Sequence, residues 1–502
     1  MALNSTGPIS LGGSTVGQSI NLELGKSATA LASMNATDFR TLAGVASGQI
    51  SISNFYGKSN TTYYWAWQND SGYTDSSYPG QIVPMSDGNI LGWAYSKING
   101  GHNAINKINA SNFTLSYSKY PNGPLGKVDY YGNSASSCYV GNRNQSYPAG
   151  GNYYIHYVTS ITSSPVDSYY IAVGGDPGGY GTLQGTHAKC VDSSNNCYLG
   201  LSTVGTYGRP AIIKVNTSGT VSAAVYTGSQ AGVPYSMAID PSNNVIVAMD
   251  NYGNTGFRPF GIYKFNSSLT ALWDVGYTFN ATVYPYATAC DSSGNIYTFG
   301  QNGNGTPAIV KLNSSGAFQW GITQPSVSGN YMINAVASIK ISPDNNFIYT
   351  AYIRRIASTQ RILVVSKYNT SGTVQWERTL TFSNSYNFYD SGYDGIGTSH
   401  LAVTSDAVYV GGPLSNNGNA GTLNSFYAKL NPDGSGTGTY TGLGPAGSTM
   451  TYATGSYTYS SIAVNVTATP GLTWNSFTPT NSNAGPATFT DTAWTLTKGT
   501  MP

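Results

Sequence analysis

One short series of residues recurs along this 502-residue chain and limits what it can fold into more than any other feature. Its clearest copy is Asp291-Ser-Ser-Gly-Asn-Ile-Tyr297, followed by Ile309-Val-Lys311-Leu-Asn313-Ser-Ser-Gly316 and then Phe318-Gln-Trp320. The series returns as Asp192-Ser-Ser-Asn-Asn-Cys-Tyr198 with Ile213-Lys214-Val-Asn216, and as Asp240-Pro-Ser-Asn-Asn-Val-Ile246 with Tyr263-Lys264-Phe-Asn266. Looser copies are Ser342-Pro-Asp344-Asn-Asn with Lys367-Tyr-Asn369 and Trp376, Asp406-Ala-Val-Tyr409 with Lys429-Leu-Asn431, and Asp87-Gly-Asn-Ile90 with Lys107-Ile-Asn109. A degenerate copy, Ser137-Cys-Tyr-Val140 with residues 153–159, carries His156 where the others carry Lys. From Lys214 to Lys429 the lysines lie 50, 47, 56 and 62 residues apart, the length of one four-stranded propeller blade with a variable loop.

Each copy reads as a blade. The Asp-x-x-Asn/Gly-Asn cluster suits a tight turn between strands A and B, because Asn and Gly tolerate positive φ and Asp bonds its own backbone. The alternating Ile-x-Lys-x-Asn run predicts strand C, and the x-x-Trp run opens strand D. The expected fold is therefore all-β: a seven-bladed propeller of four-stranded blades over residues 59–442, with a small module at 1–58 and a β-rich extension at 443–502. Residues 61–68, Thr-Thr-Tyr-Tyr-Trp-Ala-Trp-Gln, match strand D but precede the first strand A, which predicts that they close the ring on the outer edge of the last blade. Outside the repeat, Pro8–Leu11 and Gln49–Ile52 read as short strands and Asn35–Gly44 as a helix capped by Asn35. The extension is expected to pack along the propeller or to meet a partner.

Charge is scarce. Asp, Glu, Lys and Arg make up 8% of the chain and the net charge is +2, so no basic surplus exists for nucleic acid. No apolar run is long enough for a membrane span, and Met1–Gly12 lacks the pattern of a signal peptide, so the protein is expected to be soluble and made in the cytoplasm without a leader. The cysteines, Cys138, Cys190, Cys197 and Cys290, match no zinc spacing; they read as small buried hydrophobes, with a Cys190–Cys197 bridge as the alternative.

Catalytic chemistry finds little support. The glutamates are Glu23 and Glu377, so a glutamate pair for glycoside hydrolysis is not available within the repeats. Asp176, Asp250, Asp390 and Asp394 fall in or near loops, where a turn role competes with an acid pair. The Asp-rich turns lack the order of a calcium loop, and His102, His156, His187 and His400 are not at metal-motif spacing, so neither a metal nor a cofactor is expected. No Ser or Cys sits in a Gly-x-Ser-x-Gly elbow. One constellation remains: His187, Tyr235 and Tyr286 each stand five residues before a turn Asp, and His400 stands six before Asp406. On the innermost strands these side chains would ring one mouth of the central channel, where they either bind a neutral glycan or plug the channel. Loop tyrosines Tyr73, Tyr147 and Tyr389 are the next candidates.

Ile9-Ser-Leu-Gly-Gly13, Arg40-Thr-Leu-Ala-Gly44 and Ile50-Ser-Ile-Ser-Asn-Phe-Tyr-Gly-Lys58 carry a resemblance. Residues 1–58 resemble an N-terminal module of virion structural proteins of tailed phages, in particular tail-fibre-like proteins of phages infecting cyanobacteria and marine bacteria. Residues 61–442 resemble bacterial β-propeller repeats. The resemblance implies a non-enzymatic tail-fibre or receptor-binding protein on the phage particle, seated on other virion proteins through residues 1–58, associating with copies of itself and displaying its propeller to a host-surface glycan. A propeller enzyme that depolymerises host polysaccharide is the alternative.

Overall fold

The computed structural model describes residues from Leu3 to Met501, leaving aside the stretches 56–62, 70–81, 97–101, 123–126, 133–137, 144–152, 175–182, 204–208, 228–231, 251–259, 280–282, 326–330, 389–399, 417–422, 469–471, 484–487 and 492–496, together with scattered single or paired positions. The candidates Asp176, Asp390, Asp394, Tyr73, Tyr147 and Tyr389 lie outside the described residues.

The repeat's turns form for the reason their residues suggest. Asp291 Oδ1 accepts the backbone N–H groups of Ser293 and Asn295, each at 2.9 Å, while its Oδ2 takes Asn295 Nδ2 at 2.8 Å. Asp192 and Asp240 repeat the arrangement. The third residue after each Asp sits at positive φ, 62° at Asn195, 60° at Asn243 and 76° at Gly294, where a branched side chain would be strained. Strands A to D then follow as an antiparallel meander, for instance Val283–Cys290, Ile296–Asn302, Pro307–Leu312 and Phe318–Thr323.

These sheets form a β-propeller, but the expectation of seven four-stranded blades is overturned. Among the described residues, five sheets are five-stranded blades of one plan and the other two are six-stranded, and none has four strands. The extra strands come mainly from the C-terminal extension, which forms a belt. Met450–Thr454 pairs with Val374–Phe382, Ser460–Ser461 with Phe318–Thr323, and Val464–Ala468 with Ala271–Phe279. Trp474–Ser476 then pairs with Val221–Thr227, Thr480–Asn483 with Val166–Gly174, and Thr488–Asp491 with Leu115–Asn122. The belt thus visits the outer edges in reverse chain order. Its last strand, Thr497–Met501, pairs with Tyr63–Asn69, which itself lies on Leu423–Leu430. The strand read as the outer edge of the last sheet is therefore covered, because the belt supplies the edge instead.

Apolar clusters fill the spaces between neighbouring sheets. Ile246, Ile262 and Phe279 pack on Ile296, Val310 and Leu312, and the belt adds Ile462 to the same cluster. Trp474 of the belt stands edge-on to Phe265, 4.9 Å between ring centres, in the preceding gap. Polar clasps repeat beside these cores. Lys214 Nζ donates to the Ser267 carbonyl at 2.8 Å, Lys311 to Thr370 at 3.2 Å, Lys367 to Pro432 at 3.0 Å and Lys429 to Ala110 at 2.9 Å. Each strand-C lysine therefore reaches a C–D turn of the neighbouring sheet. His156 replaces this lysine in the degenerate copy.

The N-terminal module has a core of its own, Leu3, Ile20, Phe39, Leu42, Ala43 and Phe55. Its second helix runs Thr37–Ala43, but Asn35 does not cap it; the Asn35 Oδ1 accepts Arg40 Nε at 3.0 Å. The strand expected at 49–52 is absent, because Ile52–Phe55 forms a 3-10 turn held by Ser51 N–H donating to Asn54 Oδ1 at 2.8 Å. Among the described residues no helix is long and apolar enough to cross a membrane.

Candidate ligand channel

The innermost strands meet around a cavity of about 600 Å³. Lys189 and Cys190 of Leu183–Val191, Ser236 of Pro234–Ile239, Thr288 and Cys290 of Val283–Cys290, and Lys340 of Tyr331–Ile341 are among its walls. Ser236 Oγ and Thr288 Oγ1 are 2.6 Å apart, linking two of these strands. Burial pushes the Cys190 and Cys290 thiols upward, so they stay protonated and are poor nucleophiles. They are unbridged, as is Cys197, and in the hairpin register Cys190 faces Tyr198 while Val191 faces Cys197.

Of the four sequence-predicted ring residues, Tyr235, Tyr286 and His400 have described side chains. Tyr235 and Tyr286 do touch, edge-to-face with ring centres 5.5 Å apart, and Tyr284 stacks on Tyr286 at 6.0 Å. Their placement follows from a bulge, since the pairing register slips between Tyr284 and Ala287. Gly300 on the next strand makes room for it: a Cβ there would lie 1.7 Å from the Tyr284 carbonyl oxygen. Tyr286 is only 4% exposed, and its hydroxyl reaches Gln301 Oε1 at 3.2 Å. It packs between sheets with Phe299 and Tyr352, and Tyr235 packs against the same cluster. His400 is fully buried, and its backbone N–H donates to Ser338 Oγ at 3.0 Å. The backbone of His187 lies in Leu183–Val191, whereas its side chain lies outside the described set. Tyr235, Tyr286 and His400 are not among the described residues lining the cavity. Their chain neighbours Ser236 and Ala287 are.

Sequence reasoning missed two groups. Lys189 and Lys340 lie on strand A, three and two residues before the turn, where other copies carry Met237 and Ala289. A cation away from the strand-C position was the signal. The second group surrounds Glu377, which is 4% exposed beneath the belt. Glu377 Oε2 accepts from Tyr459 OH at 2.7 Å, Ser366 Oγ at 2.9 Å and Gln324 Nε2 at 3.3 Å. Gln324 Oε1 in turn accepts from Arg354 Nη1, and the Arg354 guanidinium lies over the Tyr457 ring at 3.8 Å. Burial raises the Glu377 carboxyl above its ordinary range despite these donors. The cluster fastens the belt as it crosses from one sheet to the next.

The described aspartates of the repeat turns are engaged by their own turns. Burial pushes the Asp240 carboxyl upward, but the hydrogen bonds from Lys264, whose Nζ is 2.8 Å away, and from Asn244 outweigh it and hold the group below its usual range. Among the described residues, no cluster of three or more His, Cys, Asp or Glu is placed to hold a metal ion.

No protein-family model matches this chain, and no curated protein does. Among solved structures, the chain is similar to a protein from Lactobacillus plantarum, with a TM-score of 0.40 at 12% identity over 62% of this chain and 94% of that one. It is similar to a gluconolactonase from Xanthomonas campestris, with a TM-score of 0.30 at 10% identity, covering 56% and 84% respectively. It is also similar to an ulvan lyase of polysaccharide lyase family PL25, with a TM-score of 0.39 at 10% identity, covering 71% and 95%. None of these likenesses assigns an activity to the chain.

Proposed function

We propose that this chain is a non-enzymatic virion structural protein of the tail-fibre or receptor-binding kind, seated on a phage particle through residues 1–58 and displaying its propeller to a host-surface glycan. The observation that carries the reading is the self-contained core of the N-terminal module, with Ile20, Phe39, Leu42 and Phe55 closed on one another in a cluster separate from those of the blades. A module that completes its own core can dock to a partner without disturbing the blades it carries. The resemblance of its sequence to virion N-termini supplies the partner class, and self-association on the particle belongs to the same reading.

The binding reading is favoured over an enzymatic one by the acids themselves. Asp192, Asp240 and Asp291 spend their oxygens on turn backbone, and Glu377 is enclosed beneath the belt. A depolymerase acting on host polysaccharide remains the alternative, drawing its acids from elsewhere.

The test is deletion of residues 1–58. The shortened protein is expected to stay folded and soluble yet to be missing from assembled particles. Particles that carry the truncated protein at normal copy number would refute the anchoring role, and shortened chains after incubation with host envelope polysaccharide would favour the enzyme.

A further inference from the structure

The first crossing of the belt is fastened to one buried acid. Between Met450–Thr454 and Ser460–Ser461 the chain passes from one sheet to the sheet before it, and on the way it touches Glu377 and Arg354 at three points. The Gly455 N–H donates to the Glu377 carbonyl at 3.0 Å, the Tyr457 ring covers the Arg354 guanidinium at 3.8 Å, and the Tyr459 hydroxyl donates to Glu377 Oε2 at 2.7 Å. Glycine at 455 lets the belt press close, since a Cβ there would lie 2.7 Å from Glu377 Oε1.

The two carboxyl oxygens are served unequally. Oε2 accepts from Tyr459, Ser366 and Gln324, whereas Oε1 is buried and meets no hydrogen-bond donor among the described residues. An ionised carboxylate carries charge on both oxygens, so ionisation places charge where nothing receives it while the belt is closed. The groups facing Glu377 do not remove that cost. Arg354, of Phe347–Arg355, meets it through the Gln324 carboxamide, which accepts from the guanidinium and donates to the carboxyl. Tyr352 of the same strand, Tyr368 of Arg361–Asn369, and Tyr457 and Tyr459 of the belt complete the surroundings, and burial pushes all four hydroxyls upward, so they stay neutral. Burial likewise raises the Glu377 carboxyl. A group raised in the closed state supports closure fully below its ordinary value, about 4.3 for glutamate, and that support is lost as pH rises through the closed-state value.

We infer that Glu377 is a proton-controlled latch for the belt: protonated, it holds the crossing from Gly455 to Ile462 closed, and once ionised it lets that segment lift so that water reaches Oε1. Lifting uncovers the edge of Phe318–Thr323, which Ser460–Ser461 otherwise pairs.

The test is hydrogen exchange of the full-length protein, read at the amides of Gly455 and Ile462, which donate to the Glu377 and Gly321 carbonyls at 3.0 and 2.8 Å. With intrinsic rates corrected for pH, their protection is expected to fall between about pH 4 and about pH 7, and to stay level over that range in Glu377→Gln. At about pH 7 both amides should exchange faster than those of Ile296–Asn302, the mark of a local opening. Protection in the parent that does not change with pH would overturn the inference, as would the same fall in a Glu377→Gln protein of normal melting temperature. Exchange of the crossing only in step with Ile296–Asn302 would overturn it too, because release would then be part of global unfolding. If Glu377→Gln fails to fold, Tyr459→Phe decides. It removes a donor that favours the charged form, so its loss of protection relative to the parent should be greater at about pH 7 than at about pH 4, and an equal loss at both would discard the latch.

Discussion

Lys429 and Ala110 stand 319 positions apart, yet the Lys429 ammonium donates to the Ala110 carbonyl at 2.9 Å. This contact joins the last sheet of the repeat to the first and repeats the clasp that Lys214, Lys311 and Lys367 make between consecutive sheets. Closure of the ring thus uses the same chemistry as its internal joints. Lys429 is buried, so Lys429→Met leaves a carbonyl without its cationic donor and should cost about 1.5–3 kcal/mol. Urea unfolding of the variant against the parent protein measures this. A difference below about 0.5 kcal/mol, the scale of an ordinary surface change, would show that the clasp is incidental.

Cutting the chain after Gly455 removes the belt from every sheet except the one that Met450–Thr454 covers. The shortened protein should melt at a lower temperature and scatter light on standing, because bared strand edges pair with other chains. A monodisperse protein of unchanged melting temperature would mean that the belt contributes nothing to the ring.

Tyr286→Ala empties a buried position in the cluster that holds Phe299 and Tyr352, and should cost about 3–5 kcal/mol. Tyr235→Ala, at a half-buried position, should cost less. Thermal unfolding ranks the two, and an equal or reversed order would place Tyr235 in the core and Tyr286 outside it. A loss of glycan binding in either variant is meaningful only beside this measurement.

Two acids should respond to pH in opposite directions. The Asp240 carboxyl is held below its ordinary range when folded, so its contribution is complete above about pH 3.9 and is lost as pH falls through the folded value. Glu377 is raised by burial, so its contribution is present below the ordinary glutamate value of about 4.3 and is lost as pH rises through the folded value. Asp240→Asn should flatten the acid limb of the stability profile, and Glu377→Gln should flatten the decline on the neutral side. Parallel pH profiles of parent and variant in either case would contradict the assignment.

The meander and its turns were legible because backbone geometry dictates side chains there. Positive φ at Asn195 and Gly294 admits few residues, and an Asp that bonds its own turn cannot be exchanged freely. The belt was not legible, for the complementary reason. Ser460–Ser461 and Trp474–Ser476 are two and three residues long, too short to show a period, and their register is set by edges far away in sequence. The channel-mouth ring was read from its distance to the turns alone. The bulge between Tyr284 and Ala287 breaks strand alternation, which sends Tyr286 into the gap between sheets while Ala287 and Thr288 face the cavity. Nothing local to Glu377 announces that Tyr459 will cover it.

The reversed course of the belt also orders events during synthesis. A ribosome releases the sheets from first to last, and each emerges before the strand that will seal its rim. When residues 443–502 follow, the belt meets the sheet of Val374–Phe382 first and the sheet of Leu115–Asn122 near its end. The sheets made earliest therefore wait longest with an open edge. On a crowded polysome that interval is the time in which neighbouring nascent chains can exchange strands, so the yield of monomeric protein should depend on translation rate through the later repeats as well as through the belt.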